Sequence, residues 1–218
     1  GVPFMVGFNR RFAPATVRAQ ELLANRSGPL MIAYRVNAGY LPRDHWTLGP
    51  EGGGRVIGEA CHMFDLFQAL ISGTKAEGAT VTEVATLAAQ PPATNEAAHL
   101  SSADNVAATV RYSDGSVATL LYTALGAPTY PKEQIEIYGD GKVLVVNDFK
   151  SLEVSGTKTA GWQGALADKG HVAELEAFAR YVKGDAPPPI TLAALVETTE
   201  VSFLAAGLTL ADESSQDN

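Results

Sequence analysis

Residues 106–123 read VAATVRYSDGSVATLLYT, a pattern that predicts a β-hairpin. Apolar side chains alternate with small or polar ones, as they do along a strand with one buried face, and Asp114-Gly115 is a typical hairpin turn. A second pair of strands follows in Glu133–Tyr138 and Lys142–Val146, joined by Asp140-Gly141. Consecutive hairpins predict a sheet that is mostly antiparallel.

Helical patterns lie on both sides of these hairpins. Ala15–Asn25 and Arg55–Ile71 read as helices, with a strand at Leu30–Asn37 between them, and two further helices near the end are separated by Pro187–Pro189. The first of that last pair has one apolar face, formed by Val172, Leu175, Phe178, Ala179 and Val182. Because strands and helices do not alternate as βαβ units, we expect an α+β fold, with helices on one face of an open, mostly antiparallel or mixed sheet.

Composition excludes several classes of protein. The chain has 218 residues, 46% of them hydrophobic and 18% charged, which is typical of a soluble globular protein. Its net charge of −8 and its scattered Arg and Lys argue against nucleic acid. The apolar runs are shorter than the ~20 residues that cross a bilayer. A single cysteine, Cys61, predicts a reducing, cytoplasmic location, and the His and Cys spacing predicts no metal site.

The first residues predict a domain boundary. Val2–Phe8 is apolar and strand-like, and Asn9–Pro14 follows as an irregular crossover. We expect residues 1–14 to be the residual strand and crossover of a missing upstream domain. Residues 15–211 would form a substrate-binding and oligomerisation domain, and residues 212–218 a disordered tail.

The segment with the strongest chemical signal is residues 52–65, GGGRVIGEACHMFD. No strand precedes the glycines and no Lys-Ser/Thr follows them, so the segment is neither a dinucleotide fingerprint nor a P-loop. We interpret it as a glycine turn that opens a helix. There Gly53 and Gly54 would let the backbone approach a substrate closely.

Three ionisable residues follow on that helix at three-residue steps, Glu59, His62 and Asp65. At 100° per residue they share one face. A histidine between two carboxylates suits proton exchange near neutral pH, because the carboxylates raise its pKa and orient its ring. The alternative interpretation is a buried histidine that is satisfied by a carboxylate, beside a solvated glutamate.

Two motifs resemble the Gfo/Idh/MocA oxidoreductases. The glycine triplet followed by His62-x-x-Asp65-Leu66 is similar to the central motif of that family, and Val6–Pro14 is similar to its crossing from the Rossmann domain into the C-terminal domain. The resemblance covers nearly the whole chain and implies a C-terminal-domain fold like that of glyceraldehyde-3-phosphate dehydrogenase. Residues 54–62, GRVIGEACH, also resemble a subgroup in which this module is fused behind an alcohol-dehydrogenase-like domain.

The resemblance implies hydride transfer between a sugar or polyol CH–OH carbon and NAD or NADP. His62 would be the general acid/base, and Asp65 would hold substrate hydroxyls. Many members have an aspartate where this chain has Gly58, and Glu59 could substitute for it as a catalytic residue. The family's glycine fingerprint and its Glu-Lys-Pro lysine belong to the Rossmann half. We therefore expect the isolated fragment to be inactive.

Further site residues follow from position and residue type. Asn9 and Arg11, after the carboxyl end of a strand, could approach the cofactor, although an arginine there can also be an exposed charge. His45 and Trp46 could wall the substrate pocket or merely anchor a loop. Arg55 could pair with an acidic sugar or a phosphate.

A second class of function shares this fold. The chain could be a non-catalytic module for oligomerisation or ligand binding, and fold alone cannot separate the two. In both cases we expect a homo-oligomer through the open face of the sheet.

Overall fold

The computed structural model describes residues 2–42, 44–73, 78–89 and 104–209. The predicted tail at residues 212–218 lies outside the described residues. Among the described residues no helix is both long and apolar enough to cross a bilayer.

Within the described ranges, one mixed sheet of eight strands forms the body of the molecule. The strands are β1 (Met31–Asn37), β2 (Val81–Ala88), β3 (Val106–Tyr112), β4 (Val117–Thr123), β5 (Glu133–Gly139), β6 (Lys142–Asn147), β7 (Ser151–Ser155) and β8 (Trp162–Gln163), and their spatial order is β2-β3-β4-β1-β5-β6-β7-β8. β1 pairs in parallel with β4, and every other pair is antiparallel. The predicted fold class is confirmed.

Both predicted hairpins are present. The turn between β3 and β4 contains Gly115 at φ +86°, and the turn between β5 and β6 contains Asp140 at φ +48° and Gly141 at φ +72°. Left-handed backbone of this kind favours Gly, and Asp tolerates it better than most residues. The turn residues therefore fix where each strand reverses.

The part of the chain that the structure describes also contains four α-helices. They are α1 (Pro14–Leu23), α2 (Cys61–Ser72), α3 (His171–Val182) and α4 (Leu192–Ala205). A 3-10 turn at Asn9–Phe12 precedes α1, another lies at Trp46–Leu48, and a π-helical turn at Val56–Ala60 leads into α2. Helix α2 ends at Ser72, and Gly73 follows it with φ +57°.

The main core lies between one face of the sheet and the helices. Alternate residues of the central strands point into it, including Tyr34, Leu120 and Ile135. On the opposite face Met31, Leu121 and Tyr138 are exposed. The sheet therefore has one covered and one open face.

Helix α3 places its predicted apolar face toward solvent. Val172 is 70% and Leu175 65% exposed, whereas Glu174 and Ala177 are buried. Glu174 lies close to the residues that precede the Asn9–Phe12 turn, since a Cβ on Gly7 would lie 3.6 Å from its Oε1. The narrow buried side of α3 therefore packs near Gly7. Its apolar stripe, with Val172 and Leu175, faces solvent and is covered by no other element among the described residues.

Candidate active site

The glycine triplet is a tight turn ahead of α2. Gly53 and Gly54 have φ of +67° and +84°, and a Cβ on Gly52 would lie 2.4 Å from the backbone of Thr47. Gly53 and Gly54 also border an apolar cavity of about 350 Å³ beside β2, β3 and the end of α4, and His62 is not among its lining residues. Close packing accounts for Gly52, and left-handed backbone accounts for Gly53 and Gly54, without a ligand.

The π-helical turn at Val56–Ala60 rotates the residues before α2 about the helix axis, compared with a continuous α-helix. Such turns insert one extra residue and are frequent at functional sites. Gly58 lies within this turn, and a Cβ there would meet the carbonyl oxygen of Gly52 at 3.0 Å. Little room is left for a side chain at the position where the family resemblance leads one to expect an aspartate.

Glu59 is the centre of an ionic cluster. Its Oε2 accepts hydrogen bonds from Arg55 Nη2 at 3.1 Å and Tyr122 Oη at 2.5 Å, and its Oε1 accepts one from Lys132 Nζ at 3.2 Å. Burial by itself would raise the pKa of Glu59, but the Tyr122 hydrogen bond and the two cations hold that pKa below its ordinary value. These four residues are called the Glu59 cluster. In it Glu59 is a stable anion that holds other side chains, which argues against a proton-transfer role.

A second cluster surrounds Glu133, the first residue of β5. Its carboxylate accepts two hydrogen bonds from Arg10, at 2.9 and 3.0 Å, and one each from Tyr34 and Lys169. Burial acts to raise the pKa of Glu133, yet these donors bring it to about 2. Arg10, Tyr34, Glu133 and Lys169 are called the Glu133 cluster.

Sequence reasoning missed the Glu133 cluster, although a signal was present. Glu133 shares the inward register of β5 with Ile135 and Ile137, and all three are buried. A carboxylate in an inward position of an apolar strand needs a buried partner. The alternation along this strand is therefore the pattern that could have identified Glu133 as a paired, buried anion.

His62 experiences the charges of Glu59 and Glu133, the carboxylates at the centres of the two clusters. Its ring packs edge-on against Phe8, with centroids 5.6 Å apart, and its Nδ1 is buried without a hydrogen-bond partner. The pKa of His62 falls to about 4, chiefly through burial and the charge of Arg10, while Glu59 and Glu133 act in the opposite direction. The expectation that flanking carboxylates raise this pKa is therefore wrong in its net result. The imidazole is neutral at neutral pH.

Asp65 does not share the surroundings of His62. It is fully buried and makes a bidentate ion pair with Arg11, in which Arg11 Nε lies 2.9 Å from Oδ2. Burial raises the pKa of Asp65 to about 6, and Arg11 offsets only part of that effect. The pair ties the Asn9–Phe12 turn to α2. So placed, Asp65 has no oxygen open to substrate hydroxyls, and Arg11 has little surface for a cofactor.

Two other predicted ligand-binding groups are likewise engaged. Arg55 is 2% exposed, donates to the carbonyl oxygen of Gly39 at 2.5 Å and lies over the ring of Tyr122. Asn9 is buried and donates to the carbonyl oxygen of Lys169 at 2.8 Å. These contacts make Arg55 and Asn9 internal supports, and their predicted contacts with substrate and cofactor stay predictions.

His45 and Trp46 remain accessible. Trp46 is 68% exposed and stacks on His45, whose Nδ1 accepts a hydrogen bond from the Thr47 amide. This pair belongs to the turn that packs on Gly52, so it lies next to the start of the π-helical turn. Its predicted role as a substrate wall stays a prediction.

The segment Lys169-Gly170-His171 is pressed onto the Asn9–Phe12 turn. Gly170 has φ +84°, and a Cβ on it would lie 2.5 Å from the carbonyl oxygen of Asn9 and the amide nitrogen of Ala13. This contact places Lys169 beside Glu133 and begins α3 at His171.

Gly170→Ala is expected to lower the free energy of unfolding by at least about 2 kcal/mol, because it combines a left-handed backbone with a backbone clash. Gly184→Ala is the matched control, since Gly184 has φ +80° but open space around it. Urea unfolding of both variants measures the difference. Equal losses would show that the contact with the Asn9–Phe12 turn contributes nothing.

In the stretches that the structure describes, no group of three or more His, Cys, Asp or Glu side chains is arranged to hold a metal ion. The groups near His62 are instead two carboxylates, each surrounded by cations and a tyrosine. Such a site can bind a polar ligand and exchange a proton, within an α+β domain whose sheet is open on one face.

Comparison with known proteins gives the family. The family model described as the GFO/IDH/MocA C-terminal domain matches residues 19–145, more than half of the chain. The chain belongs to this family. No curated protein matches it.

Solved structures share the fold at low identity. UDP-N-acetylglucosamine 3-dehydrogenase GnnA from Acidithiobacillus ferrooxidans is 18% identical, with a TM-score of 0.69 over 94% of this chain and 60% of that one. WlbA dehydrogenase from Bordetella pertussis, in complex with NADH and UDP-GlcNAcA, is 17% identical, with a TM-score of 0.67 over 98% and 65%. GenD2 from gentamicin A biosynthesis, in complex with NAD, is 17% identical, with a TM-score of 0.63 over 92% and 60%. The chain thus spans less than two thirds of each relative.

Proposed function

We propose that this chain is the substrate-binding and catalytic half of an NAD(P)-dependent oxidoreductase that acts on a CH–OH group of a sugar, polyol or sugar nucleotide. Family membership supports the reaction class, and the likeness to GnnA and WlbA supports a sugar-nucleotide substrate. The observation that carries the proposal is the state of His62. Its imidazole is neutral and makes no hydrogen bond, and the two carboxylates that act on its pKa, Glu59 and Glu133, already accept hydrogen bonds from other side chains.

The proposed role of His62 follows from its protonation state. A neutral ring nitrogen can take the proton of a substrate hydroxyl as the alcohol is oxidised, and the resulting imidazolium returns a proton in the reverse reaction. Nδ1 is closed off from solvent, which leaves Nε2 as the nitrogen for this transfer. The charges of Glu59 and Glu133 favour the imidazolium that forms.

The nicotinamide cofactor would accept the hydride. The two residues predicted to contact it, Asn9 and Arg11, are engaged in internal contacts, so neither side chain is free to hold a dinucleotide. We propose that a separate nucleotide-binding domain holds NAD or NADP. The exposed stripe of α3, with Val172 and Leu175, offers that domain an apolar surface.

We also propose a homo-oligomer through the open face of the sheet. Met31, Leu121 and Tyr138 are exposed there on strands β1, β4 and β5. An apolar sheet face of this kind is usually covered by a partner, and a second copy of the same face is the simplest partner.

The test compares the 218-residue chain with the complete polypeptide that contains it. We expect the complete protein to interconvert NAD(P) and NAD(P)H in the presence of sugars or sugar nucleotides, as followed by nicotinamide absorbance. The 218-residue chain alone should show no turnover and no tight NAD(P)H binding by calorimetry. Tight binding by the chain alone would contradict the separate cofactor domain. A complete protein that binds sugars without turnover would favour the non-catalytic module.

A further inference from the structure

The imidazole of His62 has no polar contact that would fix the plane of its ring. Its Nδ1 is buried without a partner, and no hydrogen bond of the described residues involves the ring. A functional histidine usually donates from one ring nitrogen to a carboxylate or a carbonyl group, which fixes its tautomer and its orientation. Packing has to supply that orientation in this chain.

The aromatic ring that packs against His62 in the described structure is that of Phe8. The two ring centroids lie 5.6 Å apart and the ring planes are at 85°, an edge-to-face arrangement that aromatic pairs prefer. Phe8 is buried and forms a small core with Ile190 and Leu195. Phe8 therefore lies against one side of the imidazole and is itself held by residues at the start of α4.

The three residues after Phe8 anchor it to the domain. Asn9 donates to a carbonyl group in the loop before α3, Arg10 pairs with the carboxylate that begins β5, and Arg11 pairs with an aspartate of α2. Helix α2 is also the helix that carries His62. A displacement of Phe8 relative to His62 would therefore strain contacts with three different parts of the domain.

We propose that Phe8 is a positioning residue for His62, and that its ring holds the imidazole in the orientation that proton transfer at Nε2 requires. The inference rests on the proposed oxidoreductase function and deepens it, because it names the residue that orients the proposed acid/base. Phe8 has no group that can exchange a proton, so it acts through His62. Misplacing a catalytic group by about 1 Å can reduce turnover on the order of 10²-fold, so loss of this contact should be measurable.

Loss of the Phe8 ring should also change the environment of the imidazole. Burial is the largest cause of the low pKa of His62, which is about 4. Ionisable residues on four other parts of the fold act on that pKa as well, and they are Arg10, Glu59, Glu133 and His171. Because Phe8→Leu keeps all four and opens one side of the ring to water, it should raise the pKa of His62 towards its ordinary value of 6.5.

The experiment compares Phe8→Leu with Phe12→Leu in the complete protein. Phe12 is the matched control, because it packs on the same small core and its ring does not pack against His62 in the described structure. Turnover is followed by nicotinamide absorbance, and melting temperatures confirm that each variant is folded. If Phe8→Leu does not fold, Phe8→Met takes its place, since methionine is a flexible apolar side chain without a ring.

For Phe8→Leu we expect kcat to fall about tenfold, while KM for the substrate and for the cofactor changes less than about twofold. Phe12→Leu should keep kcat within about twofold of wild type. Equal losses in the two variants would overturn the positioning role, as would a loss confined to KM or an unchanged kcat in Phe8→Leu.

A second measurement tests the contact without any turnover. Diethyl pyrocarbonate acylates the neutral imidazole, so the rate at which it modifies His62, read by peptide mass spectrometry at each pH, reports the pKa of that ring. Because the pKa is about 4, wild type and Phe12→Leu should react almost equally fast at pH 7 and pH 5. In Phe8→Leu the reaction should be about tenfold slower at pH 5 than at pH 7, as for an ordinary histidine.

The two measurements separate this inference from the proposed function. If wild type turns over no sugar or sugar nucleotide, the proposed function fails, and the modification profile still decides whether Phe8 holds the imidazole. A profile that changes in Phe8→Leu and not in Phe12→Leu supports the inference. The same profile in both variants overturns it.

Discussion

Replacing His62 with alanine in the complete oxidoreductase is expected to lower kcat by about 10²-fold or more, because the substrate hydroxyl loses its proton acceptor. The measurement is steady-state turnover with saturating cofactor and substrate. Cys61→Ala is the matched control on the neighbouring position. Burial raises the pKa of the Cys61 thiol to about 11, so the thiol is neutral and its removal should change kcat less than about twofold.

A loss confined to KM would assign His62 to binding and would contradict the acid/base role. The pH profile gives a second readout. With a His62 pKa of about 4, the basic form dominates at neutral pH, so alcohol oxidation should stay constant as pH falls from 7 and decline only as pH approaches 4. A decline centred near pH 6 would come either from a His62 more solvated than its packing against Phe8 indicates or from Asp65, whose pKa is about 6, and the same profile in Asp65→Asn distinguishes the two.

Glu133→Gln is expected to produce the largest loss of stability, about 3–5 kcal/mol in the free energy of unfolding. The amide keeps the size of the side chain but leaves the buried Arg10 and the half-buried Lys169 without their counter-charge. Urea unfolding at neutral pH measures the loss. Glu83→Gln is the control, because Glu83 and Arg111 form an exposed ion pair on the sheet, and breaking it should cost less than about 1 kcal/mol.

The pH dependence of this loss has a defined sign. The pKa of Glu133 is about 2 in the folded protein and near 4.5 when unfolded, so its ionic contacts contribute fully above pH 4.5 and are lost as pH falls through 2. The difference between wild type and Glu133→Gln should therefore shrink steadily between pH 5 and pH 2. A difference independent of pH would indicate a packing defect in place of a lost charge.

Local patterns predicted the parts of the fold that depend on neighbours in sequence. Alternation and the turn residues Asp114-Gly115 and Asp140-Gly141 specified β3 to β6, because a hairpin needs only its own strands and turn. The parallel pairing of β1 with β4 has no local signal, since 79 residues lie between Asn37 and Val117 (117 − 37 − 1). The π-helical turn at Val56–Ala60 was likewise missed, because its apolar spacing resembles that of an α-helix.

The motif predicts His62 as the site residue, and that role stays a prediction. Residue type and spacing could not tell which of the charged groups around it are buried. Arg55 and Asp65 were predicted to bind substrate, and in the structure both are buried and each is paired with a partly buried residue of opposite charge. Lys132 and Lys169 were not singled out, since their outward direction depends on contacts between distant strands and loops.

The central place of β1 has a consequence for how the chain folds. β1 lies between β4 and β5, so neither of its partners exists until residues 117–139 have been synthesised. The two hairpins can form early and locally, whereas β1 must close long loops to join them, which makes its docking the slow step. Until then both edges of an apolar strand are open to pairing with other chains, and we expect aggregation during refolding to begin there.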